Sequence, residues 1–220
     1  VEMGLYIQPG SLEGGKYRGY LGQYDEETQR AIVKLAMEGF QDFVGVRPLS
    51  VRSYMFSASD ATFPVLAQFG FRQSSISSPG RRVSRHAANW TGAETDAHYA
   101  DRSSRLRRGD LPILELPVTT DPTRVRGGVA SDLAIENGTL DDWHRPLIEN
   151  QLKRMDSDQV PFRALCFYTR NFFAYHLRDD KIASTLNAIV GWLDSLRDRY
   201  DVRPATVGQA HAYFRDELRL

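Results

Sequence analysis

The chain has 220 residues, 41% of them hydrophobic, which is enough for one substantial core. Its 28 Lys and Arg balance 28 Asp and Glu, and zero net charge argues against a nucleic-acid binder held mainly by phosphate contacts. No apolar run approaches the roughly 20 residues of a membrane span, and the single cysteine, Cys166, rules out an internal disulfide.

In chain order, Val1 to Gln8 reads as a short buried strand closed by Pro9-Gly10, followed by a loop rich in Gly and Tyr to Tyr24. No basic segment followed by an apolar one opens the chain, so no secretory leader is visible; a cytoplasmic and a cell-envelope location both stay open. Asp25 is the expected N-cap of a helix, with Glu26 and Glu27 suiting its N-terminus. The helix's apolar face is Ile32, Leu35, Ala36, Phe40 and Phe43, and Gly45 ends it. Leu49 to Ser53 is the next strand. Asp60 is expected to cap a second helix with Phe63, Leu66, Ala67 and Phe69 inward and Pro64 in its first turn. After Gly70, Phe71 to Ile76 is a strand.

Ser77 to Asp110 is polar and basic, too long for an ordinary connection, and is expected to be an ordered functional loop or lid. It holds two arginine clusters: Arg81, Arg82 and Arg85, then Arg102, Arg105, Arg107 and Arg108. Each reads either as a solvated loop or as a rim meeting an anionic glycan or sugar nucleotide. Leu111 to Thr119 is a strand, Trp143 to Met155 a helix with Leu147, Ile148, Leu152 and Met155 on one face, and Arg163 to Thr169 an apolar strand. Leu186 to Tyr200 is a helix, Val202 to Thr206 a last short strand, and Val207 to Glu217 a terminal helix. Strands that read as buried on both sides and alternate with amphipathic helices indicate a parallel sheet covered by helices. One α/β barrel domain over 1–220 is expected, with its chemistry at the carboxyl ends of the strands.

Those strand ends carry a resemblance. Arg52 closes one strand and is followed by Ser53-Tyr54-Met55-Phe56-Ser57; further on come Phe69-Gly70-Phe71, then Gln73-Ser74-Ser75 and Leu114-Glu115-Leu116-Pro117-Val118. Order and residue types resemble a polysaccharide deacetylase (NodB-homology) domain over most of the chain. The resemblance implies a distorted seven-stranded deacetylase-type barrel, here without its first strand. It implies a hydrolase that removes acetyl groups from a glycan, acting on carbon–nitrogen bonds, with a divalent metal, usually zinc, as cofactor. By the same resemblance Arg52 orients a catalytic aspartate and the aromatics after it, Tyr54 and Phe56, wall the sugar site; Trp90 and His98, in the long loop, are read as further sugar contacts, since aromatic faces with a few polar groups suit carbohydrate.

The chain also departs from the pattern. Tyr6 and Gln8 stand where the family's two metal-binding histidines belong, and neither matches the imidazole, thiolate and carboxylate set that holds zinc. Tyr168 or Arg170 stands in place of a late histidine that protonates the leaving amine, His176 lies further on, and the aspartate-rich first motif does not occur. Glu115 is expected to face inward and to pair with Arg52, or a backbone carbonyl to take that role. His86, His98, His144, His176 and His211 show no metal-ligand spacing. The expectation is therefore a deacetylase-like chain that does not bind zinc and is weak or inactive; the alternative is a non-catalytic carbohydrate-binding barrel. Its partner is a glycan or sugar-derived small molecule, not nucleic acid, and the oligomeric state stays open.

Overall fold

In a computed structural model, residues 2–170, 173, 175 and 180–218 are described. The strands β1 (Leu5–Ile7), β2 (Ser50–Ser53) and β3 (Gln73–Ser74) run parallel, in that order. Beyond the short hairpin of β4 (Arg82–Val83) and β5 (Ala88–Asn89), β6 (His98–Tyr99) and β7 (Leu114–Glu115) complete the sheet. β7 is parallel to β3, and β6 is an antiparallel edge, giving a five-stranded open sheet of order β1-β2-β3-β7-β6. The mixed α/β class with a parallel sheet is thus as read. The closed barrel is not: among the described residues β1 is an edge strand.

The strands are also shorter than their apolar runs. Residues 163–169 are extended but form only a parallel bridge, Tyr168 to Ala134. They are held by Thr119 N donating to Cys166 O at 3.1 Å and Ile135 N to Tyr168 O at 3.0 Å. Residues 202–206 are not a strand. A hairpin that the apolar pattern did not reveal, β8 (Thr120–Arg126) and β9 (Val129–Asp132), turns at Gly127-Gly128. Gly128 has φ +77°, and a Cβ there would lie 2.3 Å from Arg82 O, so only glycine fits.

Helix α1 (Glu26–Val44) starts and ends as expected. Asp25 Oδ1 accepts from Thr28 N at 2.8 Å, and Gly45 closes it with φ 80°. Its Ile32, Val33 and Ala36 pack with Phe63, Val65 and Leu66 of α2 (Thr62–Gln68) against Leu5, Ile7 and Val51 of the sheet. Each such fully buried side chain is worth roughly 1.5–3 kcal/mol. Phe43, expected inward, is 92% exposed; it shares Ala36's side of the helix, so the last turns of α1 project past their packing partners. Asp60 does not cap α2, because its carboxylate is taken by Arg105 N at 3.1 Å and Arg105 Nη1 at 2.7 Å. Helix α3 (Arg145–Ser157) follows a π-helical turn, Leu140–His144, and buries Leu147, Ile148 and Met155 as read. Helix α4 (Lys181–Ser195) begins earlier than its apolar pattern, because Asp180 caps it through Ile182 N and Ala183 N; Val190 on it is exposed. Helix α5 (Val207–Leu218) returns to the sheet at β3.

The two faces of the sheet differ. Alternation puts Leu5, Ile7 and Val51 toward α1 and α2, and Gly4, Tyr6, Ser50, Arg52, Gln73 and Ser75 on the other side. The expectation of strands apolar on both sides therefore fails on the face that matters for the site.

Candidate functional site

A cleft of about 540 Å3 runs along that polar face. Tyr6 from β1, Arg52 from β2 and Ser75 after β3 line it, with Phe167, Tyr168 and Thr169 opposite and Leu186 of α4 and Val207 of α5 closing the side. The ends of the first, second, third and fifth expected strands thus meet in one place, as parallel strand ends in α/β folds do.

Arg52 is half-buried. Its Nε donates to Ser75 O at 2.9 Å and its Nη2 to Ser75 Oγ at 2.7 Å, with Cys166 Sγ 3.9 Å from Nη2. The guanidinium lies 5.8 Å from the ring centre of Phe56 and 5.6 Å from that of Tyr168. A backbone carbonyl therefore holds Arg52, and Glu115 does not. Glu115 lies on the other face, fully buried, and accepts from Ile76 N at 2.8 Å, Ser77 N at 2.7 Å and the Ser74 hydroxyl. Burial pushes its carboxyl up, against those hydrogen bonds.

The loop after Arg52 is strained. Met55 and Phe56 both sit at positive φ, 57° and 61°, on the order of 1–3 kcal/mol each for residues with a Cβ. The kink presents Tyr54 outward and tucks Phe56 inward. Tyr54 stands edge-on to Tyr6 (6.1 Å between centres) and stacks on Tyr20 at 5.8 Å and 10°. Tyr20 in turn lies 4.7 Å from His86, so four rings form a string along the strand ends. Burial pushes the Tyr6 phenol up, offset in part by Arg52.

Three expected sugar contacts are placed elsewhere. Phe56 is buried behind Tyr168, 5.3 Å away, with Arg81 4.6 Å above its ring. Trp90 is fully buried, its Nε1 donating to Phe56 O at 2.8 Å, so it braces the kinked loop from behind. His98 is buried on β6, its Nδ1 2.7 Å from Asp96 O, and lines a separate cleft beside α5. Gln8 is exposed and does not line the main cleft, whereas Tyr6 does. His176 and Asn171 lie outside the described residues.

Tyr168 is the better defined of the two late-histidine positions. Its hydroxyl donates to Asp132 Oδ2 at 2.9 Å; burial, with the Asp132 charge, pushes its phenol up. Asp132 is buried and further held by Ala134 N at 3.2 Å and Asn137 Nδ2 at 2.5 Å, with Arg81 Nη2 at 3.8 Å. Arg170 pairs with Glu136 at 3.2 Å. Asp132 and Tyr20 were not singled out from sequence; the Gly-Gly turn before Asp132 is the signal that would have located its strand. The arginine clusters are partly neutralised: Arg81 is buried, Arg102 pairs with Asp110, Arg105 with Asp60 and Arg108 with Glu94, while Arg82, Arg85 and Arg107 are exposed.

The donors facing the cleft do not suit zinc. They are a phenol, a guanidinium, hydroxyls and one carboxylate, Glu2, already engaged by Ser50 and Gly208 N, where a zinc site takes about three thiolate, imidazole or carboxylate ligands, and the Arg52 charge would repel a cation. Among the described residues no three His, Cys, Asp or Glu gather that could hold a metal.

The fold has a solved counterpart. The chain resembles the crystal structure of a "putative polysaccharide deacetylase" from Mycobacterium smegmatis, with a TM-score of 0.53 and 18% identity. The match covers 89% of this chain and 59% of that one, so the chain spans less than two thirds of its length. At that identity the likeness is one of fold. No protein-family model and no curated protein sequence matches the chain.

Proposed function

We propose that the chain is the sugar-binding part of a polysaccharide deacetylase-like protein of the NodB-homology type. The main cleft and the ring string beside it take a glycan, and the chain alone is weak or inactive in releasing acetyl groups. The observation that carries this reading is the convergence of Arg52 with the exposed ring of Tyr6 in the cleft, with the partly exposed ring of Tyr54 against Tyr6 beside it. Aromatic faces with a few fixed polar groups suit a sugar, whose rings have apolar faces and hydroxyl edges. The strained loop supports the same reading, since backbone held at positive φ is maintained by its surroundings and clusters at ligand sites.

Arg52, Tyr54 and Tyr6 are proposed as direct sugar contacts, Tyr168 as a wall fixed by Asp132, and Phe56 and Trp90 as supports behind them. His98, in the separate cleft, has no part in the proposed site. The test is a titration of the chain with N-acetylated and de-N-acetylated glucosamine tetramers, followed by NMR, with acetate release assayed with and without added zinc. Saturable shifts at Tyr6, Tyr54 and Arg52, without metal-dependent acetate release, are expected. Shifts confined to other surfaces would overturn the binding site. Submicromolar zinc binding with acetate release by the unmodified chain would overturn the assignment of weak or no activity.

A further inference from the structure

Arg52 differs from the other arginines near the cleft in one respect. Arg81 has Asp132, and Arg170 has Glu136. Among the described residues Arg52 has no carboxylate partner: its Nε and Nη2 are committed to Ser75, and its Nη1 makes no hydrogen bond to any of them. A cation that is half-buried, clamped by a neutral serine and backed by two rings keeps its full charge in a setting drier than bulk water. An opposite charge placed against it there gains more than it would on an open surface.

The rest of the cleft lining is mostly apolar, and its charged residues are Arg52 and Glu2. Glu2 lines its far end, where its carboxylate accepts from the Ser50 hydroxyl and from Gly208 N at 2.7 Å. Those hydrogen bonds, with help from Thr206 and Gln73, outweigh burial and hold Glu2 below its ordinary range, so it is ionised at neutral pH. The cleft therefore has a negative end at Glu2 and a positive end at Arg52. A ligand with one negative group at one end would be oriented by that pair of charges.

We propose that the cleft selects a carboxylate-bearing sugar, a uronic-acid unit within a glycan, with the carboxylate on Arg52 Nη1 and the sugar ring against Tyr6. The inference rests on the glycan reading of the cleft. A single uncompensated positive charge matches the single charge of a carboxylate better than the higher charge of a phosphate. The planar guanidinium, fixed on its Nε–Nη2 side by Ser75, presents its remaining donors in a set direction, which suits a planar carboxylate. The Glu2 carboxylate, itself held by Ser50 and Gly208 N, acts only through its charge, which turns the acid of the ligand toward Arg52.

The test compares a tetrasaccharide of alternating N-acetylglucosamine and glucuronic acid with its carboxyl-reduced counterpart, by calorimetry at low and moderate salt. The acidic form is expected to bind at least ten-fold more tightly at low salt, the gap narrowing as salt rises. In an NMR titration with the same two sugars the Arg52 Nε–H resonance should shift with the acidic form and much less with the reduced one. This reports on Arg52 without any substitution. Arg52→Gln should remove the preference, and Arg52→Lys should keep part of it. Equal binding of the two tetrasaccharides would overturn the carboxylate assignment and leave the glycan reading standing. Binding of neither, with no shift at Tyr6, would overturn both. Competition by sodium sulfate at the same concentration as the acidic sugar would show a simple anion site and also overturn the proposal.

Discussion

The two ends of the parallel sheet are built on opposite terms. At the amino end of the strands, polar side chains close on one another. Glu2 meets Ser50, Ser50 Oγ accepts from Gln73 Nε2 at 2.8 Å, Gln73 Oε1 meets His211 at 3.0 Å, and His211 meets Tyr99 at 3.2 Å. This chain crosses β2, β3 and α5 and ties the carboxyl-terminal helix to the sheet. At the carboxyl end, Tyr6 is half exposed, Arg52 keeps open donors, and Met55 and Phe56 carry strained backbone. The first end spends its hydrogen bonds on the fold; the second holds them in reserve for a ligand. A buried polar group is costly unless matched, so a site that keeps unmatched donors must recover that cost on binding.

Substitutions can break this contrast. The largest stability loss is expected on the face of the sheet opposite the cleft, under α1 and α2, where Glu115 is buried. Glu115→Ala strips the acceptor from two buried amides, Ile76 N and Ser77 N, and should cost roughly 2–5 kcal/mol in chemical denaturation. Gln73→Leu cuts the amino-end chain at its middle and should cost about 1–3 kcal/mol, while leaving the sugar affinity unchanged. An equal drop in sugar affinity would show that the two ends are not independent.

A smaller effect is expected from acid. Burial holds His86, His144 and His211 below their ordinary value of 6.5, with Arg85 and Arg81 adding at His86 and Arg215 and Arg72 at His211. The unfolded chain binds these protons first as pH falls, so stability is present above about pH 6.5 and is lost below it. Glu115, raised by burial, works in the opposite sense. The measurement is therefore the difference in melting temperature between parent and His144→Leu from pH 7.5 to 5, and the variant should show the shallower decline. The smallest stability effect belongs to the open end: Tyr6→Ala should change stability by no more than about 0.5 kcal/mol, yet weaken sugar binding severalfold. A large loss of stability there would make Tyr6 a core residue and erase the contrast.

Much of this was legible in the residues. Asp25, Gly45 and the apolar periodicity fixed α1, because local capping and a left-handed terminus need no knowledge of the rest of the fold. Arg52 was placed at a strand end and in the cleft. What could not be read was which residues a kinked loop turns in or out. Tyr54 and Phe56 are two apart and both aromatic, yet one joins the open ring string and the other is buried, because Met55 and Phe56 adopt positive φ that no sequence rule assigns to them. Trp90 reads as a sugar platform until its indole is seen bracing that loop. Asp60 satisfies every local rule for a helix cap, and a distant arginine outbids the helix for it.

Cys166 has one further consequence. It is the chain's only thiol, half-buried, with Sγ 3.3 Å from Ser75 Oγ and 3.9 Å from the same Arg52 nitrogen that Ser75 anchors. Any ligand that draws the guanidinium toward the cleft changes the packing around that sulfur. The rate at which a small alkylating reagent labels Cys166 thus serves as a built-in gauge of cleft occupancy, with no second thiol to confuse the signal.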